Sequence, residues 1–117
     1  LLNLTRADCA RYFVGKRGGE RDTSAVQQDI DSLLVALATS GKHRTIVRLK
    51  AGDPFIFGRA RSEVEALEAA KIPWFVEPGL SSALVAPLLA GVALTDAKES
   101  KSFTVMSAFD AQGEAPE

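Results

Sequence analysis

The sequence predicts an α/β fold, a mainly parallel sheet with flanking helices, and three observations carry that prediction. Short apolar runs rich in β-branched and aromatic residues recur at 12–14, 45–49, 73–77 and 103–106, each too short for a helix and each stopped by turn residues or a charge. Between them lie stretches with apolar residues at the helical period. Their alternation, β-α-β-α-β-α-β, is the order that right-handed crossovers wind into a parallel sheet.

Taken in order, residues 1–10 place Leu1, Leu4 and Ala7 as the remnant of a helix. Tyr12, Phe13 and Val14 form a first strand ended by Gly15, and residues 16–22 form a glycine-rich, mostly charged loop. A helix then starts at Ser24 as N-cap with Gln27 three residues on. Val26, Ile30, Leu33, Leu34 and Leu37 make its apolar stripe, Asp29 and Asp31 sit near its positive end, and Gly41 terminates it. The second strand, with Thr45, Ile46 and Val47, is halted by Gly52, Asp53 and Pro54. Ser62 with Glu65 reads as a capping box for a second helix reaching about Ala70, with Val64 and Leu67 inward. Trp74, Phe75 and Val76 form a third strand with Trp74 in the core, stopped by Pro78 and Gly79. Ser81 or Ser82 caps a third helix through Leu89, in which Pro87 demands a kink or an early stop.

Composition narrows the function. The 117 residues are 46% hydrophobic and 25% charged with net charge −1, an ordinary globular balance with no electrostatic footprint for nucleic acid or membrane surfaces. No apolar run approaches the ~20 residues of a membrane span. The single Cys9 excludes an internal disulfide and suggests a reducing compartment. His43, in an exposed turn, has no Cys or His at metal-like spacing, so no metal is expected. A start at Leu1 without methionine and a polar, breaker-rich close suggest a piece of a longer protein.

The most informative stretch is residues 47–59, Val-Arg-Leu-Lys-Ala-Gly-Asp-Pro-Phe-Ile-Phe-Gly-Arg: strand, abrupt turn, apolar cluster, then helix. That is the layout of a ligand loop at the carboxyl end of a strand, and equally of a plain βα connection. Three further motifs stand in order around it: Val-Gly-Lys-Arg-Gly-Gly at 14–19, Pro-Gly-Leu-Ser-Ser-Ala at 78–83 and Gly-Val-Ala-Leu-Thr at 91–95. Together, from about Tyr12 to about Val105, they resemble the tetrapyrrole (corrin/porphyrin) methyltransferase family, most nearly its branch that methylates uroporphyrinogen III at carbon to give precorrin-2 for sirohaem and cobalamin.

The resemblance implies that the 117 residues are part of the N-terminal domain of that fold, lacking its first strand and Gly-rich loop and most of its second domain. It implies S-adenosylmethionine as methyl donor, with Ala51, Gly52, Asp53, Ile56, Ser81 and Ser82 at the cofactor site. Gly52 lets backbone approach a ligand, Asp53 can accept from an ammonium or ribose hydroxyl, and Ile56 offers apolar contact. The plainer readings are an Asx-turn for Asp53 and helix capping for the serines. Lys16 matches the family's proton donor and would otherwise be a solvated loop charge; the proton-accepting aspartate would precede Leu1. For the carboxylate-rich macrocycle, Arg17, Arg48, Lys50 and Arg59, with Arg61 nearby, are candidate contacts, or surface charges. Arg48 can also point away, since alternate strand residues face opposite sides. A homodimer in the cytoplasm, or in a plastid for a photosynthetic eukaryotic source, completes the expectation, with neither nucleic acid nor membrane as partner.

Ala51 stands where glycine is usual, Ala60-Arg61 replaces a glycine pair, Asp96-Ala97 replaces His-Arg, and Ser107-Ala108-Phe109 stands for Thr-Gly-His. These departures keep two alternatives open: a methylase of a later corrin intermediate, or a degenerate binding module. An RNA-methylating branch is disfavoured by the motif wording and the absent basic surplus. The isolated 117-residue chain is expected to have little or no activity, so isothermal titration of it with S-adenosylhomocysteine should show no tight binding.

Overall fold

A computed structural model of the chain describes residues 1–15 and 27–107. The charged loop at 16–22, the Ser24 cap and Val26 lie outside the described residues. Three α-helices follow one another: α1 (Gln27–Thr39), α2 (Ala60–Ala69) and α3 (Ser82–Leu89). The expected N-terminal helix remnant is a three-residue 3-10 turn over Leu2–Leu4.

The helices stand where the periodicity puts them, and their ends follow backbone chemistry. In α1, Asp29 occupies the positive first turn, and Gly41 leaves the helix at φ +68°. α2 starts two residues ahead of Ser62, at Ala60 behind Arg59 in the left-handed region. Ser62 is not its cap. Its hydroxyl donates instead to Asp31 Oδ2 on α1 through a short hydrogen bond, because a serine inside the first turn is free to reach a neighbouring acceptor.

The carboxyl end of α2 is a Schellman motif, with Lys71 N–H donating to Glu68 O at 2.9 Å and Ile72 N–H to Leu67 O at 2.9 Å. Lys71 takes there the positive φ of 57° that glycine usually holds. α3 closes the same way on Gly91 at φ +69°, whose N–H donates to Leu88 O at 3.1 Å while Val92 N–H donates to Pro87 O at 2.9 Å. Ser81 Oγ accepts from Ala83 N–H at 3.3 Å, which makes Ser81, of the two candidate serines, the N-cap. The helix runs through Leu89 with Pro87 inside it, so the expected early stop at Pro87 does not occur; the proline's missing N–H costs only the bond to the Ala83 carbonyl.

The expected sheet is where the described residues depart most from expectation. Among the described residues, 12–14, 45–49, 73–77 and 103–106 form no ladder, and the only β pairing is an isolated antiparallel bridge between Asp96 and Ser100. A helix satisfies its amides within the segment, whereas a strand exists only against a neighbour some 4.8 Å away. The apolar surface meant for such a sheet is correspondingly open. Phe13, Val47 and Phe75 are exposed, and Trp74, expected in the core, is 40% exposed. His43, expected exposed, is half-buried. The accessible surface is 10160 Å², against about 6,200 Å² for a compact monomer of this mass.

Burial concentrates where α1 packs on α2, through Ile30, Leu34 and Ala60. A shallow cavity of about 350 Å³ lies on that seam, lined by Asp31, Ser32, Val35, Ala36 and Ala66.

Asp96 and Ser100 bond reciprocally, at 2.7 Å from Asp96 N–H and 3.2 Å from Ser100 N–H. Asp96 Oδ1 also accepts from Lys98 N–H at 2.8 Å and Glu99 N–H at 3.1 Å. These bonds favour the ionised carboxylate and hold its pKa below the ordinary aspartate value. A depressed folded-state pKa stabilises above the unfolded value and loses that contribution as pH falls through the folded one. An NMR pH titration should therefore show Asp96 ionising below ordinary aspartates, with the Lys98 and Glu99 amide shifts moving at the same midpoint.

Candidate functional site

Two loops converge at the amino ends of α2 and α3. The first, residues 51–59, turns at Gly52 with φ +66°. Asp53 Oδ1 then accepts from Phe55 N–H at 2.8 Å and its carbonyl from Ile56 N–H at 3.3 Å, an Asx-turn stacked on a backbone turn. Asp53 is thus a turn former, yet its Oδ2 has no hydrogen-bond partner among the described residues. Phe57 and Arg59 take positive φ of 54° and 55° on either side of Gly58. A Cβ on Gly58 would lie 2.3 Å from the Pro54 carbonyl oxygen, so the loop folds tightly back on itself.

The second loop, residues 78–82, presses against the first. A Cβ on Gly79 would lie 2.0 Å from the Gly52 carbonyl oxygen, so only glycine allows this approach. Gly52 itself is roomy: a Cβ there would meet Leu80 O at 3.8 Å and Ser81 Cα at 3.9 Å. Ser81 is buried between the loops, whereas Ser82, Ala51 and Ile56 are exposed. Gly52 and Asp53 are thereby brought beside Gly79 and Ser81 from positions some thirty residues apart, while Ala51, Ile56 and Ser82 follow only as their neighbours along the chain.

The positions that depart from glycine are explained locally. Ala51, Ala60 and Arg61 do not have positive φ, so a Cβ there meets no backbone strain; the left-handed positions are Gly52, Phe57 and Arg59.

The basic candidates separate. Lys16 and Arg17 lie outside the described residues. Arg59 is exposed at the start of α2, and Arg61 pairs with Glu65 at 2.7 Å on the outer side of that helix, a contact that raises its already high pKa. Arg48 and Lys50 turn instead to Glu63. Arg48 Nε donates to Glu63 Oε1 at 3.1 Å, and Lys50 Nζ bridges Oε1 and Oε2 at 2.9 and 3.0 Å. Gln27 Nε2 on α1 lies 3.5 Å from the same Oε1 and 2.8 Å from Asp31 Oδ1. Glu63 is only 4% exposed, and the periodicity gave no hint of it: a glutamate one position from the apolar stripe reads as a solvated residue.

Compared with known proteins, residues 1–116 match the family described as Tetrapyrrole (Corrin/Porphyrin) Methylases. The chain belongs to that family. It is 50% identical over 105 residues to the uroporphyrinogen-III C-methyltransferase of Synechococcus elongatus, covering 90% of this chain and 42% of that protein. It is 42% identical over 112 residues to the enzyme of the same name from Methanocaldococcus jannaschii, covering 96% of this chain and 45% of that protein. A siroheme synthase of Actinobacillus pleuropneumoniae is 48% identical over 95 residues, 81% of this chain and 19% of its own length. The chain therefore spans less than half the length of these relatives. Among the described residues, no group of three or more His, Cys, Asp or Glu could hold a metal ion.

The loop geometry separates two glycine substitutions. Gly52→Ala has space and meets only left-handed strain, about 1–2 kcal/mol. Gly79→Ala drives a methyl into backbone and should cost more, up to about 3 kcal/mol or beyond. Denaturant unfolding of the full-length protein should rank Gly79→Ala as the more damaging.

Proposed function

We propose that the full-length protein transfers methyl groups from S-adenosylmethionine to carbons of uroporphyrinogen III, forming precorrin-2 for sirohaem and cobalamin. The observation that carries this is the seating of Gly79 against the Gly52 carbonyl, which joins the two family motifs into one cradle. It is supported by the relatives named for that reaction.

The residues present suit the cofactor. Asp53 Oδ2 is available to accept from an ammonium or ribose hydroxyl, the face of Gly52 is open, the exposed Ile56 offers apolar contact, and the hydroxyls of Ser81 and Ser82 lie at the start of α3. The sulfonium, when bound, supplies an electrophilic methyl group, so positioning is the protein's main contribution. Lys16, at the family's Val-Gly-Lys-Arg motif, would exchange a proton with the macrocycle. Arg17 and Arg59 would meet its carboxylates; Arg48 and Lys50 reach that role only by exchanging the Glu63 carboxylate for a substrate one.

In the same reading, segments 45–49, 73–77 and 103–106 pair in a mainly parallel sheet, homodimerisation covers further apolar surface, and the enzyme works in the cytoplasm or a plastid. No described helix is long and apolar enough to cross a membrane.

Full-length protein incubated with uroporphyrinogen III and S-adenosylmethionine should yield red-fluorescent, methylated tetrapyrroles by mass spectrometry. Lys16→Met should lower that rate by about a hundredfold or more. A protein that methylates only a later corrin, or nothing, would overturn the proposal.

A further inference from the structure

The buried Glu63 carboxylate closes the base of the loop that carries Gly52 and Asp53. Lys50 is the last residue before the loop, and Glu63 lies in the first turn of the helix that follows it. Their ion pair at 2.9 Å therefore joins both ends of the intervening segment. Arg48 adds a second clamp at 3.1 Å, and Gln27 ties the same oxygen to α1. The Lys50 and Glu63 side chains are only 11% and 5% exposed, so the pair is shielded from the screening that makes surface ion pairs weak. Asp31 extends the network through Ser62, the residue beside Glu63.

Such an arrangement has one mechanical consequence. Phe57 and Arg59 hold left-handed φ that non-glycine residues disfavour, so the loop keeps this shape only with support from its surroundings, and pinning its two ends together supplies it. The polar partners of the carboxylate are Gln27, Arg48 and Lys50, none of them in the two site loops, so any effect on the site passes through Lys50 and α2.

We infer that Glu63 is a positioning residue: through Lys50 and Arg48 it holds residues 51–59 in the conformation that receives the methyl donor. This rests on the proposed methyltransferase reading. It also assigns Lys50 to the loop's support and not to the macrocycle.

The test uses full-length protein, with S-adenosylhomocysteine titrated calorimetrically, uroporphyrinogen III kinetics, and hydrogen exchange followed by peptide. Glu63→Gln should weaken S-adenosylhomocysteine binding by at least about tenfold, since removing one partner of a buried pair leaves the other uncompensated. The KM for uroporphyrinogen III should stay within about threefold, because uniform contacts to the macrocycle are untouched. Exchange should rise in residues 51–59 and not in α3. Lys50→Met, which leaves Glu63 paired with Arg48, should show the same pattern and serves if Glu63→Gln does not fold. An unchanged affinity with a lowered unfolding midpoint would make Glu63 merely structural and overturn the inference. So would a raised macrocycle KM in Lys50→Met with cofactor affinity intact, which would make Lys50 a substrate contact. If the unsubstituted protein binds no S-adenosylhomocysteine, the methyltransferase reading falls first and this inference with it.

Discussion

A carboxylate held at 4% exposure cannot stand alone, and that constraint organises the described structure. Glu63 is satisfied by two cations from residues 48 and 50 and lies within reach of an amide from α1. The 48–50 segment, α1 and α2 thus converge on one pair of oxygens. Replacing such a pair by apolar side chains is often energetically neutral, so its value lies in geometry more than in stability. Here the geometry is that of a loop whose two ends are brought together.

That loop shows how close approach is obtained. Gly52 bends the chain, Asp53 locks the bend through its own side chain, and Gly79 allows a second loop to lie directly on the Gly52 carbonyl. Ser81 then caps α3 from between the loops. The turn-forming and ligand-holding readings of Asp53 are compatible, because one carboxylate oxygen suffices for the Asx-turn. The same holds for the capping serine. The glycine replacements at 51, 60 and 61 fall at positions without positive φ, so they leave this bend intact.

The departure at Asp96 has a local explanation of its own. Where the family pattern has His-Arg, this chain has an aspartate that accepts from two backbone amides and closes a short turn on Ser100. It shapes backbone there, with a carboxylate whose ionised form the turn favours.

How much was legible in advance depends on the range of the forces. The three helices, a serine cap at 81 or 82, Gly41 as terminator, and the loops around Gly52 and Gly79 follow from residues a few positions apart. These features are determined by local torsions and hydrogen bonds. The burial of Glu63, the diversion of Ser62 to Asp31, and the turning of Arg48 and Lys50 toward α2 were decided only in three dimensions. Charged side chains choose partners by distance in space, which spacing along the chain does not encode. Strand pairing is likewise a relation between distant segments, so the apolar runs at 45–49 and 73–77 announce a tendency that only neighbouring backbone can turn into a sheet.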